Sequence, residues 1–318
     1  MEYLVDVIVP TYNHEKYIGT TIESIVTQQT NFPFRLIVSD DCSKDRTREI
    51  VAEYAAKYPD ILFPVYHPKN VGAVANGYSL LSAVTAKYLA VCDGDDYWTD
   101  PLKLQKQVDF LEANPDFSMC FTEVEILDEL KSDKIFLQPE HIFPPMTKDV
   151  FTVEDFIMAD MNMVPTPTLV MRNVLPRPIP DFYLHILGGD LFMQMVATDK
   201  GKAKYMREKT AVYRNHGGGV SKSKESIARG EHALVELYHH LNKFFSYRYD
   251  KLFKKRLLDI ARGRLIFGAR DKKGLARIKH YFKNIPDYLK YSDKINFKEL
   301  AYYHVVLFFP FLLRRGKG

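Results

Sequence analysis

The sequence predicts an α/β fold, with a mostly parallel central sheet covered by helices on both faces and a helical extension at the C-terminus. Three observations predict it. Strand-like and helix-like segments alternate through the first 125 residues. The strand-like segments are continuous apolar runs, as expected of strands buried on both faces. From Ser221 onward the apolar residues recur at helical spacing, and basic residues crowd into Lys251 to Arg256 and Arg262 to Arg277.

Each element follows from local chemistry. Leu4 to Val9 is a β-branched run, and Pro10, which lacks an N–H, is expected to end it. Glu15 to Gln28 carries Tyr17, Ile18, Thr21, Ile22, Ile25 and Val26 near helical spacing. Phe34 to Val38 is the next strand, closed by Ser39-Asp40-Asp41, and Ser43 or Asp41 suits the cap of a helix holding Ile50, Val51, Tyr54 and Ala55. A strand at Ile61 to Tyr66, a helix at Val71 to Thr85 and a strand at Tyr88 to Cys92 follow. Asp100, before Pro101, is expected to cap another helix. Residues 126–220 are less regular and rich in proline at 139–145 and 165–180.

Ligands of such sheets bind beyond the carboxyl ends of the strands. Tyr12-Asn13, Asp40-Asp41 and Asp93-Gly94-Asp95-Asp96 all fall there, so three polar loops converge on one edge. The last loop puts three carboxylates together. Like charges at that spacing repel, and hard oxygen donors with open positions suit Mg²⁺ or Mn²⁺.

The 318 residues are 46% hydrophobic and 26% charged, an ordinary globular balance, and a net charge of +4 gives no reason to invoke nucleic acid. Cys42, Cys92 and Cys120 have no metal-ligand spacing and read as reduced thiols of a cytoplasmic protein. The first residues enter a strand directly, without the pattern of a signal peptide. The apolar stretch Leu300 to Leu313 is broken by Pro310 and followed by Arg314, Arg315 and Lys317. It is too short to span a bilayer but suited to lie peripherally at the inner face of a membrane. Packing as a terminal core helix, or pairing of the C-terminal helices into a homodimer, is the alternative use.

Taken together, these residues resemble an inverting family 2 glycosyltransferase with the GT-A fold. The resemblance rests on Val7-Ile8-Val9-Pro10-Thr11-Tyr12-Asn13, Val38-Ser39-Asp40-Asp41-Cys42-Ser43, Asn70-Val71-Gly72 through Asn76, and Asp93 to Asp96. It continues in Gly189-Asp190 and in Tyr213-Arg214-Asn215-His216 followed by glycines. It implies a GT-A domain over residues 1–221, with a nucleotide-binding half at 1–125 and an acceptor-binding half at 126–221, and a separate basic helical region at 222–318.

The resemblance further implies a nucleotide-sugar donor, UDP-linked, and a glycan or lipid-linked saccharide acceptor, in bacterial surface polysaccharide synthesis. Donor-binding residues would be Pro10, Thr11, Tyr12, Asn13, Asp41, Asn76, Asp93, Gly94 and Asp95. Tyr12 would lay its ring on the base, and Asp41 would accept the uracil imide N–H. Asp95, Asp96 and His216 would hold Mn²⁺ or Mg²⁺, and Asp93 would address the ribose or a metal-bound water. Asp190 would be the general base, following glycines at a helix start that steadies its charge. Arg214 would meet phosphate, and Trp98 would line the acceptor pocket or belong to the core. Relatives often carry Ala-Arg-Asn where this chain has Val74-Ala75-Asn76, which leaves Lys69 or Asn76 to replace the arginine.

Other classes fit less well. A nicotinamide enzyme would need G-x-G-x-x-G after the first strand. A sugar-nucleotide nucleotidyltransferase would carry a Gly-rich basic loop where this chain has Pro10-Thr11-Tyr12-Asn13-His14. A non-catalytic nucleotide- or glycan-binding module would not need all three early acids together with Asp190. A processive synthase would show membrane spans and a Gln-x-x-Arg-Trp motif.

Overall fold

The computed structural model describes residues 2–131, 134–159, 162–219, 224–270 and 274–292. The first seven elements follow the expected order: β1 (Val5–Thr11), α1 (Ile18–Val26), β2 (Phe34–Asp40), α2 (Thr47–Lys57), β3 (Leu62–Tyr66), α3 (Ala73–Ala83) and β4 (Tyr88–Val91). Pro10 does not end β1. The Ile8 and Pro10 carbonyls face the β4 side, where they accept the Cys92 and Gly94 amides at 3.1 and 3.0 Å. The missing Pro10 donor faces that same side, beyond the last β1–β4 pair of Ile8 with Val91. The α2 helix begins later than expected because neither expected cap is free. The Ser43 hydroxyl accepts the Asn13 amide, and both Asp41 oxygens accept amides of the loop before α3. Asp45 Oδ1 instead takes the Thr47 amide at 3.0 Å.

The chain continues through β5 (Tyr97–Trp98), α4 (Lys103–Ala113), β6 (Phe117–Asp128), β7 (Ile135–Leu137), β8 (Val150–Phe151), α5 (Val153–Met158), β9 (Val170–Arg172), α6 (Gly189–Lys200) and β10 (Lys202–Asn215). Asp100 accepts the Leu102 amide at 2.9 Å just before α4, as expected of a cap. Among the described residues these strands form one sheet of order β3-β2-β1-β4-β9-β6-β10-β5, with β7 beside β6 and β8 beside β10. The β3, β2, β1 and β4 strands are mutually parallel, and β6 and β10 are parallel to each other. Because β9 runs antiparallel to both β4 and β6, all six of these strands point the same way. Their carboxyl ends therefore share one edge.

Valines on one face of β1 pack against Ile18, Ile22 and Ile25 of α1, with Leu36, Val38, Tyr88, Cys120 and Val170 in the same buried cluster. Burial of each such aliphatic side chain is worth about 1.5–3 kcal/mol. This cluster fixes the strands whose ends carry the polar loops.

Helices α7 (Lys224–Phe244), α8 (Asp250–Arg270) and α9 (Gly274–Tyr291) complete the described chain. Two compact units result, residues 1–237 and 238–318. The expected division at residue 125 falls inside β6, and the boundary at 221 lies outside the described residues. In the second unit Ala261, Leu265 and Tyr288 form a buried core, and Arg264 meets Asp287 at 3.3 Å. Part of its basic character is paired locally, as in Lys254 with Asp250 at 2.7 Å. Among the described residues no helix is long and apolar enough to cross a membrane. The segment 300–313 and the cations after it lie outside the described residues.

Candidate active site at the carboxyl edge of the sheet

Register places the predicted loops side by side. Thr11 pairs with Asp40, the Asp41 amide donates to the Thr11 carbonyl at 3.0 Å, and the Gly94 amide donates to the Pro10 carbonyl. The β6 and β10 strands end at the same edge and bring Glu129 and His216.

The acidic loop is a tight turn, with the Asp96 amide donating to the Asp93 carbonyl at 3.0 Å. Thr21 of α1, fully buried, donates its hydroxyl to the Asp96 carbonyl at 2.6 Å and ties the loop to the core. Gly94 has a packing role besides its expected donor contact. A Cβ there would stand 2.7 Å from Thr11 Oγ1 and 2.8 Å from His14 Nδ1, so only glycine fits without displacement.

The three acids are not equivalent. Burial, then the charges of Asp95 and Asp190, pushes Asp93 up to about 7. Burial, with Asp95 and Asp93 close by, pushes Asp96 well above the ordinary carboxylate range. Burial would raise Asp95 too, but the His216 hydrogen bond and the His14 and His216 imidazoles hold it below its ordinary value. Asp95 Oδ2 accepts from His216 Nε2 at 2.8 Å and has His14 Nε2 at 3.8 Å. Burial lowers the His14 pKa against the opposing pull of Asp95. Asp96 is 1% exposed, and its Oδ1 accepts the Arg214 amide at 2.8 Å while Oδ2 is buried without a partner.

Arg214 is spent on protein rather than held out toward a phosphate. Its guanidinium donates to the Asp95 carbonyl at 2.7 Å and lies over the rings of Tyr17 and Tyr97, at 4.9 and 4.5 Å from their centroids. Tyr17 donates to Glu129 at 2.9 Å and its ring packs against His216 at 5.0 Å. The sequence reading missed His14, Tyr17 and Glu129. Position in the loop after β1 was the available signal for His14, and none marked the other two.

The remaining predicted donor residues divide between surface and staple. Tyr12, 36% exposed, presents its ring at the end of β1. Asn13 adopts φ 56°, and its Oδ1 accepts the Lys44 amide at 2.8 Å, joining the loops after β1 and β2. Asp41 accepts the Val71 and Gly72 amides at 2.6 and 2.8 Å, one on each oxygen. A carboxylate has about four lone-pair positions, which leaves acceptor capacity on Asp41. Asn76 is buried in α3, donating to the Ser39 carbonyl at 3.2 Å, with Oδ1 unpartnered. Lys69 is exposed. Trp98 belongs to the core rather than to an acceptor pocket: it is 4% exposed and its indole donates to the Pro167 carbonyl at 2.8 Å.

Asp190 lies in the first turn of α6, as expected. Gly188 before it takes φ 105°, and a Cβ on Gly189 would fall 2.2 Å from the Tyr183 hydroxyl. Burial raises the Asp190 pKa against the opposing pull of the Leu191 and Asp190 amides. Asn162 Nδ2 donates to Asp190 Oδ2, a contact no sequence signal announced. The charge of Asp190 contributes to the raised pKa of Asp93, which makes the two acids electrostatic neighbours. Beside this corner a pocket of about 330 Å³ is lined by Val74, Leu184 to Leu187, Ala233 and Glu236.

Among the described residues no three His, Cys, Asp or Glu side chains are gathered as a finished metal cage. The donor chemistry nevertheless fits a divalent ion: a carboxylate held ionised, an imidazole nitrogen against it, and the unpartnered Asp96 Oδ2 behind. His216 Nδ1 accepts the Gly218 amide at 3.2 Å, which puts the proton on Nε2. Facing a cation would require the other tautomer, and Gly217 to Gly219 give the backbone the freedom to turn.

Comparison with known proteins decides the family. A family model described as Glycosyl transferase family 2 matches residues 6–158. The Bacillus subtilis protein provisionally named teichuronic acid biosynthesis glycosyltransferase TuaG is 30% identical over 229 residues, covering 71% of this chain and 84% of that one. The chain belongs to glycosyl transferase family 2. The uncharacterised protein Rv1520 of Mycobacterium tuberculosis is 36% identical over 225 residues, 66% of this chain, and the match spans 58% of that relative's length. The fold is that of S. aureus TarS 1–349 in complex with UDP-GlcNAc, with TM-score 0.56 and 18% identity over 96% of this chain and 92% of that one. The mannosyltransferase PcManGT of Pyrobaculum calidifontis, in complex with GDP-Man and Mn²⁺, gives TM-score 0.53 and 15% identity over 99% and 83%. In this family 2 chain the matched model stops at residue 158, short of Asn162, Asp190 and His216. Those three corners of the site rest on the geometry described above.

Proposed function

We propose that the protein transfers a sugar from a nucleotide-sugar donor to a hydroxyl of a saccharide acceptor, with inversion at the anomeric carbon. The observation that carries the reading is an ionised Asp95 met by His216, with Asp190 close enough to the same loop for its charge to act on Asp93. Asp95 and His216 would hold a divalent ion, Mn²⁺ or Mg²⁺, with Asp96 behind them. When bound, that ion supplies Lewis-acid stabilisation of the diphosphate leaving group. Tyr12 offers an exposed ring to the base, and Asp41 has acceptor capacity left for a base N–H. Asp190 accepts the acceptor's hydroxyl proton as that oxygen bonds to the anomeric carbon and the bond to the diphosphate breaks. Attack from the face opposite the leaving group inverts the centre. The pocket lined by Leu184 to Leu187 just before α6, with His185 and Glu236 among its walls, is the proposed place for the acceptor.

Support for the substrate class comes from relatives. One carries a teichuronic acid biosynthesis name, and the structural neighbours were solved with UDP-GlcNAc and with GDP-Man and Mn²⁺. We therefore read the protein as acting in bacterial surface polysaccharide assembly on a UDP-sugar. The apolar segment 300–313, closed by Arg314, Arg315 and Lys317, would hold it peripherally at the membrane, so a chain ending at Ser292 should bind anionic vesicles less well while keeping donor hydrolysis. The decisive assay offers uridine and guanosine sugars with Mn²⁺, with Mg²⁺ and with chelator. Release of nucleoside diphosphate only with metal is expected, and no release from any donor would refute the reading.

A further inference from the structure

We infer that Asn162 is the positioning residue for Asp190, its side-chain amide holding the carboxylate in one orientation for proton transfer. The inference rests on the reading of Asp190 as the proton acceptor. Asn162 Nδ2 donates to Asp190 Oδ2. The other end of the amide settles which way it points: Asn162 Oδ1 accepts the Val164 backbone N–H at 3.1 Å, so the nitrogen is the end left for the carboxylate.

The segment that carries Asn162 is fastened independently of α6. Val164 is fully buried, Thr168 Oγ1 donates to the Pro165 carbonyl at 2.7 Å, and the Trp98 indole donates to the Pro167 carbonyl. Gln107 Nε2 donates to the Thr168 carbonyl at 2.9 Å. The Asp190 backbone is set from the other side, by Gly188 and by the close fit of Gly189 on Tyr183. Backbone and side chain of one acid are thus fixed by two separate elements, the arrangement a precisely placed base requires.

The donor's neutrality matters as much as its position. A cation in place of Asn162 would steady the anion but depress its affinity for a proton. An amide orients the carboxylate and lowers its basicity less than a cation would. Burial keeps that basicity up.

The test uses the full chain labelled with ¹³C at aspartate carboxyls, the Asp190 signal being identified by its loss in Asp190→Asn. Asn162→Asp, which keeps the side-chain shape, should raise the Asp190 midpoint by more than one pH unit, because two touching carboxylates resist ionising together. Asn162→Ala should raise it by about one unit through loss of one hydrogen bond to the charged form. Both should lower kcat for donor turnover and leave donor KM within twofold. If Asn162→Ala fails to fold, the isosteric variant decides alone. An unmoved midpoint in folded Asn162→Asp, with turnover lost in Asp190→Asn, overturns the role of Asn162 only. Full turnover by Asp190→Asn overturns the reading of Asp190 and this role with it.

Discussion

The acidic loop and the Asp190 corner treat a carboxylate in different ways. In the loop three acids crowd within four residues, and the protein separates them by environment: Asp96 is sunk under the Arg214 amide, Asp93 is pushed up, and Asp95 is held ionised by imidazoles. At the other corner a single acid stands at a helix start with one neutral amide as its side-chain partner. On the proposed reading, the first arrangement prepares a charge to meet a cation and the second prepares a base to gain and lose a proton. Residue type alone does not distinguish the two; the partners do.

The comparison can be broken first at Asp190. Asp190→Asn should leave donor affinity unchanged and lower turnover by about 10²–10⁴-fold, the usual worth of positioned proton transfer. A matched steady-state and equilibrium-binding pair of measurements checks it. At the loop, His216→Ala should weaken Mn²⁺ binding by more than about tenfold in calorimetric titration, and Tyr17→Phe, which keeps the ring on His216 and loses only the hydroxyl on Glu129, should weaken it less. Equal affinities in all three proteins would remove the cation from the loop's account.

Gly94→Ala should cost about 1–3 kcal/mol in chemical denaturation, because the new methyl must displace Thr11 or His14. A comparable effect, visible only as a pH dependence, concerns the scaffold shared by both corners. Lys103 is fully buried beside Trp98, its Nζ 4.6 Å from the ring centroid, and burial lowers its pKa to about 8. Between that value and the ordinary lysine pKa the unfolded chain holds the proton and the folded one does not. Stability should therefore rise with pH from about 8 to 10, by up to roughly 2–3 kcal/mol. Lys103→Met should flatten that rise; an identical pH slope in both proteins would show that Lys103 is not its source.

Much of the first corner was legible in the sequence. Continuous apolar strands ending in Tyr12-Asn13, Asp40-Asp41 and Asp93 to Asp96 state both the sheet and its functional edge, because parallel strands put all their polar ends together. His216 was found through its neighbours Arg214 and the glycines. The second half was harder to read. The β10 strand carries Lys202, Lys204, Arg207, Glu208 and Lys209 and slips register between Met206 and Lys209 and between Lys209 and Ala211, which hides its period. Asn162 meets an acid 28 residues away from an irregular stretch, and no local pattern encodes such a pairing. Trp98, which follows the acids, read equally as a sugar platform or a core residue, and β5 turns it into the core.

The division of labour between the two acids can be tested in one experiment, by titrating an accepted nucleotide sugar with Mn²⁺ into the wild type, Asp95→Asn and Asp190→Asn and following turnover in the same samples. We expect Asp95→Asn to lose metal-dependent donor binding, and Asp190→Asn to bind donor like the wild type yet turn it over slowly. Equal loss of binding in both variants, or undiminished turnover by Asp190→Asn, would contradict the account.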